Sequence, residues 1–180
     1  MKNILVEDQI NYKTIITLGI KCFILTLVGF GLFVSDVIAS KVRLQKVVTG
    51  LQNPWALDFL PGNEALVTEK SGRLHRVNLE TGEKFSIEGI PEVHVMGQGG
   101  LLDVLVHPEF KKNQTVFLTY AAPDTSAGAT TTLIRGKLEE DQLKQQKILF
   151  QASPPMPGGH HFGSRIRIGS DRMLYVSLGE

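Results

Sequence analysis

The chain has 180 residues and a nearly balanced charge, with 19 Lys and Arg against 18 Asp and Glu. This balance argues against a nucleic-acid partner that is held by a basic surface. Hydrophobic residues make up 42% of the chain and glycine occurs 18 times, a composition that is typical of a globular protein with many turns and not of a disordered one.

The N-terminal segment differs in composition from the rest of the chain. Three lysines precede an apolar run at Cys22–Val34, which has the usual length of a signal-peptide core and is short for a membrane span. Val37-Ile38-Ala39 offers acceptable residues for cleavage after Ala39. We predict a signal peptide at residues 1–39, with an uncleaved anchor as the alternative, and therefore a periplasmic or secreted protein without a stable membrane span after cleavage.

The one cysteine of the chain, Cys22, lies in the segment that is predicted to be removed. The mature protein would then have neither a disulfide nor a thiolate metal site. Cys22 follows Lys21 and not a small-residue lipoprotein motif, so we do not expect a lipid anchor.

Beyond the signal peptide, the pattern predicts short strands separated by turn residues, without a convincing helix start. A first strand is predicted at 42–48. Four strands then follow within the length of one propeller blade, at 55–60, 64–68, 73–77 and 84–87. The unit recurs at 101–106, 115–121, 130–138 and 147–151. This second copy has a break at 107–110 between its first two strands and an insertion at 124–128. A third copy opens at 164–168 and 173–178.

These repeats predict an all-β propeller of which about two and a half blades are present, since one blade holds four strands. We expect Trp55, Leu102 and Arg165 on the innermost strands and no helix of three or more turns between residues 55 and 178. Two and a half blades cannot close a ring, because each sheet buries its faces only against its neighbours. Residues 40–180 are therefore expected to be the N-terminal part of a larger propeller, or a truncated one, and the 42–48 strand would complete its last blade.

In a propeller the innermost strands line the central channel, so the segments that precede them converge on one mouth. Three such segments are present: 53–55, 97–100 and 160–161. Gln98 is a polar side chain between glycines, which leave room for a ligand to approach, and it occupies the repeat position that His161 occupies in the next copy. A plain turn is the alternative interpretation of each segment.

His161 stands at the start of a predicted strand, where a sheet would hold it while its side chain faces open space. Neutral imidazole suits a general base near neutral pH. Glu180 follows the returning strand, and hairpin pairing would bring it beside His161, where a carboxylate fixes the imidazole tautomer. A shared metal is disfavoured, because His160 and His161 would point to opposite faces of an extended chain. A solvated turn is the alternative.

At these residues the chain resembles the soluble quinoprotein glucose/sorbosone dehydrogenase family, in particular its aldose sugar dehydrogenases. The similar pieces occur in the family's order and cover nearly all of the mature segment. They are residues 50–57, 69–74, 97–104, 107–110, 160–165 and 178–180.

The resemblance implies a six-bladed propeller that binds pyrroloquinoline quinone (PQQ) and calcium at the channel mouth. Its implied activity is oxidation of the C1 hydroxyl of an aldose to the lactone, with an external electron acceptor. His161 matches the family's catalytic base, Glu180 the acid that orients it, and Gln98 a residue that contacts cofactor or substrate. His160 stands where some members carry Asp and is taken as a second cofactor contact. No metal ligand is predicted in this segment, and the remaining cofactor and calcium ligands are expected beyond residue 180.

Two other functions stay open on the residues alone. One is a non-catalytic propeller that serves as a binding module, since a fold does not determine a function. The other is a calcium-dependent propeller lactonase, which would need acidic metal ligands in the channel. Only Glu180, Asp58 and Asp103 could supply them, and both aspartates fall in the middle of predicted strands.

Overall fold

The computed structural model consists of two compact units, Ile4–Lys46 and the segment from Val47 to Glu180 together with the first three residues. It describes residues 42–124, 128–155 and 157–179, and the backbone of residues 5–7.

In the first of these units, β1 (Leu5–Glu7) pairs antiparallel with β2 (Arg43–Gln45). The strand that was predicted at 42–48 is therefore shorter, because β1 offers partners to only three of its residues. Apart from β1, the predicted signal peptide at residues 1–39 lies outside the described residues and stays a prediction.

The second unit begins with a four-stranded antiparallel meander, the first blade, in which each strand pairs with the next. Polar and glycine turns set its boundaries: Gly72 has a φ of 97°, and the Asn78 side chain accepts hydrogen bonds from the N–H groups of Glu80 and Thr81 at 2.9 and 3.0 Å. Such local side-chain bonds favour a turn over continued pairing. The strands are β3 (Pro54–Leu60), β4 (Glu64–Glu69), β5 (Arg73–Asn78) and β6 (Lys84–Ile87), each within one residue of its prediction.

The second blade is another four-stranded antiparallel sheet. Its strands are β7 (Leu101–Val106), β8 (Thr115–Asp124), β9 (Gly128–Glu139) and β10 (Gln142–Gln151). Pairing of β8 with β9 continues out to Asp124 and Gly128, the first and last residues of the insertion predicted at 124–128; residues 125–127 lie outside the described part of the chain. The fourth strand starts five residues earlier than predicted, because a turn at Glu140, which has a φ of 55°, returns the chain directly.

A single helical turn, α1 (Phe110–Asn113), connects β7 and β8. It begins at the last residue of the predicted break at 107–110 and continues to Asn113. Within the described part of the chain, no helix of three turns occurs between residues 55 and 178, as predicted. None of the described helices is long and apolar enough to cross a membrane.

The third copy is a hairpin of β11 (Ile166–Ile168) and β12 (Leu174–Val176). Both strands are shorter than predicted, and Arg165 precedes the innermost strand instead of lying on it. Its N–H donates to the Ser177 side chain at 3.0 Å, and its carbonyl accepts the Ser177 N–H at 3.0 Å. At Arg165 a hydrogen bond to a side chain thus replaces a main-chain bond of the ladder, and the regular strand begins only at Ile166.

The blades bury their faces against each other. Between the first and second blades lies the largest apolar cluster, which includes the fully buried Leu66, Leu74, Leu101 and Leu118. A smaller cluster around Ile166 joins the second blade to the third hairpin. Because full burial of one such side chain stabilises by about 1.5–3 kcal/mol, each sheet depends on its neighbours for much of its stability. This dependence is the reason that the blades stack around a propeller axis.

Two aspartates tie successive innermost strands together. Asp58 on β3 accepts the N–H of Val106 on β7 at 2.6 Å. Asp103 on β7 is 1% exposed and accepts the N–H of Ile166 on β11 at 2.7 Å and the Arg165 guanidinium at 3.1 Å. These bonds explain why both aspartates lie in mid-strand: each carboxylate accepts a main-chain N–H of the next innermost strand.

We expect Asp103→Ala to lower the free energy of unfolding by about 2–3 kcal/mol, because it removes a charged acceptor and leaves the Ile166 N–H buried without a partner. Urea unfolding followed by Trp55 fluorescence measures this loss. The control is Asp171→Ala, since Asp171 bonds Met173 and Tyr175 at an exposed turn; it should leave the midpoint nearly unchanged. Similar midpoints for the two variants would contradict the role of Asp103 between blades.

Candidate active site

The three predicted mouth segments meet at one end of the innermost strands. Lys70 at the end of β4 donates its N–H to the Asn53 carbonyl at 3.0 Å and accepts the Leu101 N–H at 3.2 Å. The Gln98 N–H donates to the Gly159 carbonyl at 2.7 Å. The segments that precede β3, β7 and β11 are therefore linked by main-chain hydrogen bonds.

The second and third segments pack backbone to backbone. Gly97 has a φ of 55°, and a Cβ at this position would overlap the carbonyl of Gly159. Gly159 has a φ of 65°, and its Cβ would lie 2.9 Å from the carbonyl oxygen of Met96. Glycine suits both positions, because a positive φ and a close backbone approach both exclude a side chain.

Gln98 and His161, which were predicted to share a site, are in direct contact. The Gln98 Oε1 accepts the main-chain N–H of His161 at 3.0 Å. His161 has a φ of 65°, a left-handed conformation that is costly for a residue with a Cβ. The hydrogen bond from its N–H helps to hold it in this conformation, in which its side chain is exposed.

The prediction that the two histidines lie on an extended chain is wrong, because His161 has a left-handed backbone. Because His161 is left-handed, the two rings come within 6.1 Å of each other, between centroids, with an angle of 62° between their planes. Both side chains and that of Gln98 are exposed at the mouth. An imidazole here can meet a ligand that enters from solvent.

The loop that carries His161 is fixed to the second blade by contacts that the sequence did not reveal. The Thr131 hydroxyl donates to the carbonyl of Phe162 at 2.8 Å, and the Thr119 hydroxyl donates to that of Ser164 at 2.8 Å. The Phe162 ring is buried in a small apolar cluster of the second blade. A buried hydroxyl needs a partner, so the run of threonines on β9 was the available signal for such contacts.

Glu180, the predicted orienting acid, lies outside the described residues. The residue before it, Gly179, packs so closely on the main chain of His161 that a Cβ there would overlap the His161 carbonyl. Gly163 is packed in the same way: it has a φ of 65°, and its Cβ would lie 2.5 Å from the carbonyl carbon of Leu178. The predicted return of the chain to His161 is therefore present as far as Gly179.

The carboxylate of Glu69 lies beneath the mouth and is 1% exposed. It accepts the Gln52 N–H at 2.6 Å and the Arg73 Nε at 2.5 Å. His75 Nε2 lies 3.5 Å away without making an aligned hydrogen bond. Burial by itself raises the pKa of Glu69, but the bonds from Gln52 and Arg73, with the charges of His75 and Arg73, hold that pKa below its ordinary value of 4.5.

The lowered pKa of Glu69 predicts part of the pH dependence of stability. A carboxyl with a lower pKa in the folded state stabilises above pH 4.5, and this contribution is lost as pH falls through the folded-state pKa. We expect Glu69→Gln to destabilise the protein at pH 7 and to reduce the loss of stability below pH 4.5. Urea midpoints from pH 7 to pH 3 test this expectation, and parallel pH curves for the two proteins would contradict it.

The donors at the mouth suit a polar or anionic ligand. The exposed side chains of Gln98, His160 and His161 present amide and imidazole groups, which can donate to carboxylate and quinone oxygens. Among the described residues, no group of three or more His, Cys, Asp or Glu side chains is placed to hold a metal ion. The amide and imidazole donors of this part of the mouth fit a quinone that carries carboxylates, such as PQQ.

Comparison with known proteins shows the family to which this chain belongs. The model of the Glucose / Sorbosone dehydrogenase family matches residues 51–180. The chain belongs to the glucose/sorbosone dehydrogenase family. Within it, the aldose sugar dehydrogenase YliI of Escherichia coli (strain K12) is 33% identical over 142 residues, which are 77% of this chain and 38% of that protein. The predicted family is thus confirmed.

Solved structures agree with this assignment. A crystal structure of a glucose dehydrogenase is similar with a TM-score of 0.71 and 36% identity, over 74% of this chain and 40% of that one. The PQQ-bound form of an aldose sugar dehydrogenase from Streptomyces coelicolor has a TM-score of 0.65 and 31% identity, again over 74% and 40%. The chain thus spans about two fifths of the length of these relatives. The similarity confirms the predicted all-β propeller fold.

Proposed function

We propose that this chain supplies part of the active site of an exported, PQQ-dependent sugar dehydrogenase, which oxidises the C1 hydroxyl of an aldose to the lactone. One observation carries the proposal: Gln98 holds the main chain of His161 in a left-handed conformation, with the imidazole exposed at a mouth where three blades converge. The PQQ-bound form of a relative with this fold supports the choice of cofactor.

The proposed reaction breaks two bonds of the sugar. PQQ, when bound, supplies the acceptor for the hydride that leaves C1. His161 takes the proton of the C1 hydroxyl, so that the carbon–oxygen double bond of the lactone forms as both hydrogens depart. A base can do this only within hydrogen-bond reach of the hydroxyl, and the contacts of Gln98 and Phe162 hold the His161 main chain in place. We propose that Glu180 orients the imidazole.

Gln98 can serve two partners at once. Its Oε1 is engaged by the His161 N–H, while its side-chain NH₂ can donate to an oxygen of cofactor or sugar. His160, beside His161, is proposed as a further cofactor contact. Calcium would be held by residues outside the described part of the chain.

The proposed function is tested on the complete protein that contains this chain, loaded with PQQ and calcium and assayed with several aldoses and a redox dye. We expect aldose-dependent dye reduction with lactone as the product, and no activity without PQQ. Calcium-dependent hydrolysis of a lactone without dye reduction would show the lactonase instead. Sugar binding without either reaction would show a binding module.

A further inference from the structure

Lys70 has no role in the assignments above, yet it contacts the loop that carries Gln98 at both ends. Its ammonium donates to the carbonyl of Gly97. At the other end, the Leu101 N–H donates to the Lys70 carbonyl at 3.2 Å, and a Cβ at Gly100 would lie 2.8 Å from Lys70 Cγ. The side chain of Gln98 projects from between these two attachments.

The attachments continue from this loop to the candidate base. Gln98 follows Gly97 directly, its N–H donates to the Gly159 carbonyl at 2.7 Å, and its Oε1 accepts the His161 N–H at 3.0 Å. Lys70 itself is anchored, because its N–H donates to the Asn53 carbonyl at 3.0 Å. A continuous series of contacts therefore runs from Lys70, the residue directly after β4, through Gly97 and Gln98 to His161.

We propose that Lys70 is a positioning residue of this site. Its ammonium fixes the 97–100 loop, the loop fixes the Gln98 side chain, and Gln98 fixes the main chain of His161. The effect on catalysis rests on the proposed function, whereas the effect on the loop does not.

The chain offers a matched control lysine in the same blade. Lys84 at the start of β6 donates its ammonium to the carbonyl of Gly50 at 2.7 Å. The chemistry is the same as that of Lys70, but no contact of Lys84 involves the 97–100 loop. Lys70→Met removes the ammonium and keeps an unbranched apolar side chain against Gly100, and Lys70→Arg returns a cationic donor.

The experiment compares Lys70→Met, Lys70→Arg and Lys84→Met in the complete protein. Amide hydrogen exchange without cofactor reports on residues 97–100 and 160–162. We expect about tenfold faster exchange there in Lys70→Met, because a charge-assisted bond is lost. In the PQQ-loaded protein, kcat should fall about tenfold, with a smaller change in KM, since small misplacements reduce rates steeply. Lys70→Arg should restore both quantities, and Lys84→Met should change neither.

Unchanged exchange in Lys70→Met would overturn the proposal, as would equal loosening of these segments by Lys84→Met or failure of Lys70→Arg to restore them. Faster amide exchange in these segments together with an unchanged kcat would also overturn the positioning role. If Lys70→Met loosens the segments but the wild-type protein oxidises no sugar, the hold of Lys70 on the loop is supported and the proposed function fails.

Discussion

His161→Ala should lower aldose oxidation by the complete, PQQ- and calcium-loaded protein by about two to four orders of magnitude, which is the usual contribution of a general base. The substitution removes the imidazole but keeps the main-chain N–H to which Gln98 bonds. PQQ affinity should therefore be largely kept, so the loss should appear in kcat. Steady-state rates with a redox dye and a titration with PQQ separate the two effects.

His160→Ala is the matched control, because both imidazoles are exposed at the same mouth and their ring centroids lie 6.1 Å apart. We expect it to cost much less activity than His161→Ala. Equal losses at the two positions would contradict the assignment of roles, and full activity in His161→Ala would remove the enzyme assignment.

Gly179→Ala should lower the rate by about 10²-fold, because a displacement of about 1 Å in a catalytic group can cost that much. A Cβ at Gly179 would overlap the carbonyl of His161, so the His161 main chain must move to accommodate it. Both the base and its bond to Gln98 would then be displaced. The rate of sugar oxidation measures the effect, and a crystal structure of the variant would locate the shift.

Gly158→Ala serves as the control for this substitution. Gly158 lies in the loop that carries the histidines, but its Cβ would meet only the His160 Cδ2, at an ordinary 3.5 Å. We expect nearly normal activity from it. If Gly179→Ala is as active as Gly158→Ala, the end of the chain does not constrain His161 in the way described.

Local chemistry made much of the fold predictable. Alternating apolar residues and the turns at Gly72 and Asn78 determine the strands of the first blade, because period-two patterns and turn residues act over a few positions. The errors arise where pairing depends on distant partners. The end of β2 at Gln45 depends on β1, and the displacement of Arg165 from β11 depends on the hydroxyl of Ser177.

The site was predictable only in part, for the same reason. The equivalent repeat positions of Gln98 and His161 placed them together, and the structure joins them by a direct hydrogen bond. The supporting contacts of Lys70, Thr119 and Thr131 span 27 to 45 residues along the chain. Such contacts depend on how one blade packs on the next, which no local pattern encodes, and the left-handed φ of His161 follows from them.

The most direct test of a hydride-transfer site built around His161 is a single turnover without an electron acceptor. The complete, PQQ-loaded protein is mixed anaerobically with an aldose, and cofactor absorbance and lactone are followed together. We expect one lactone per bound cofactor and full reduction of the cofactor in the wild-type protein. In His161→Ala the same change should be slower by about two to four orders of magnitude. A cofactor that stays oxidised in the wild-type protein, or one that is reduced equally fast in both proteins, would contradict this expectation.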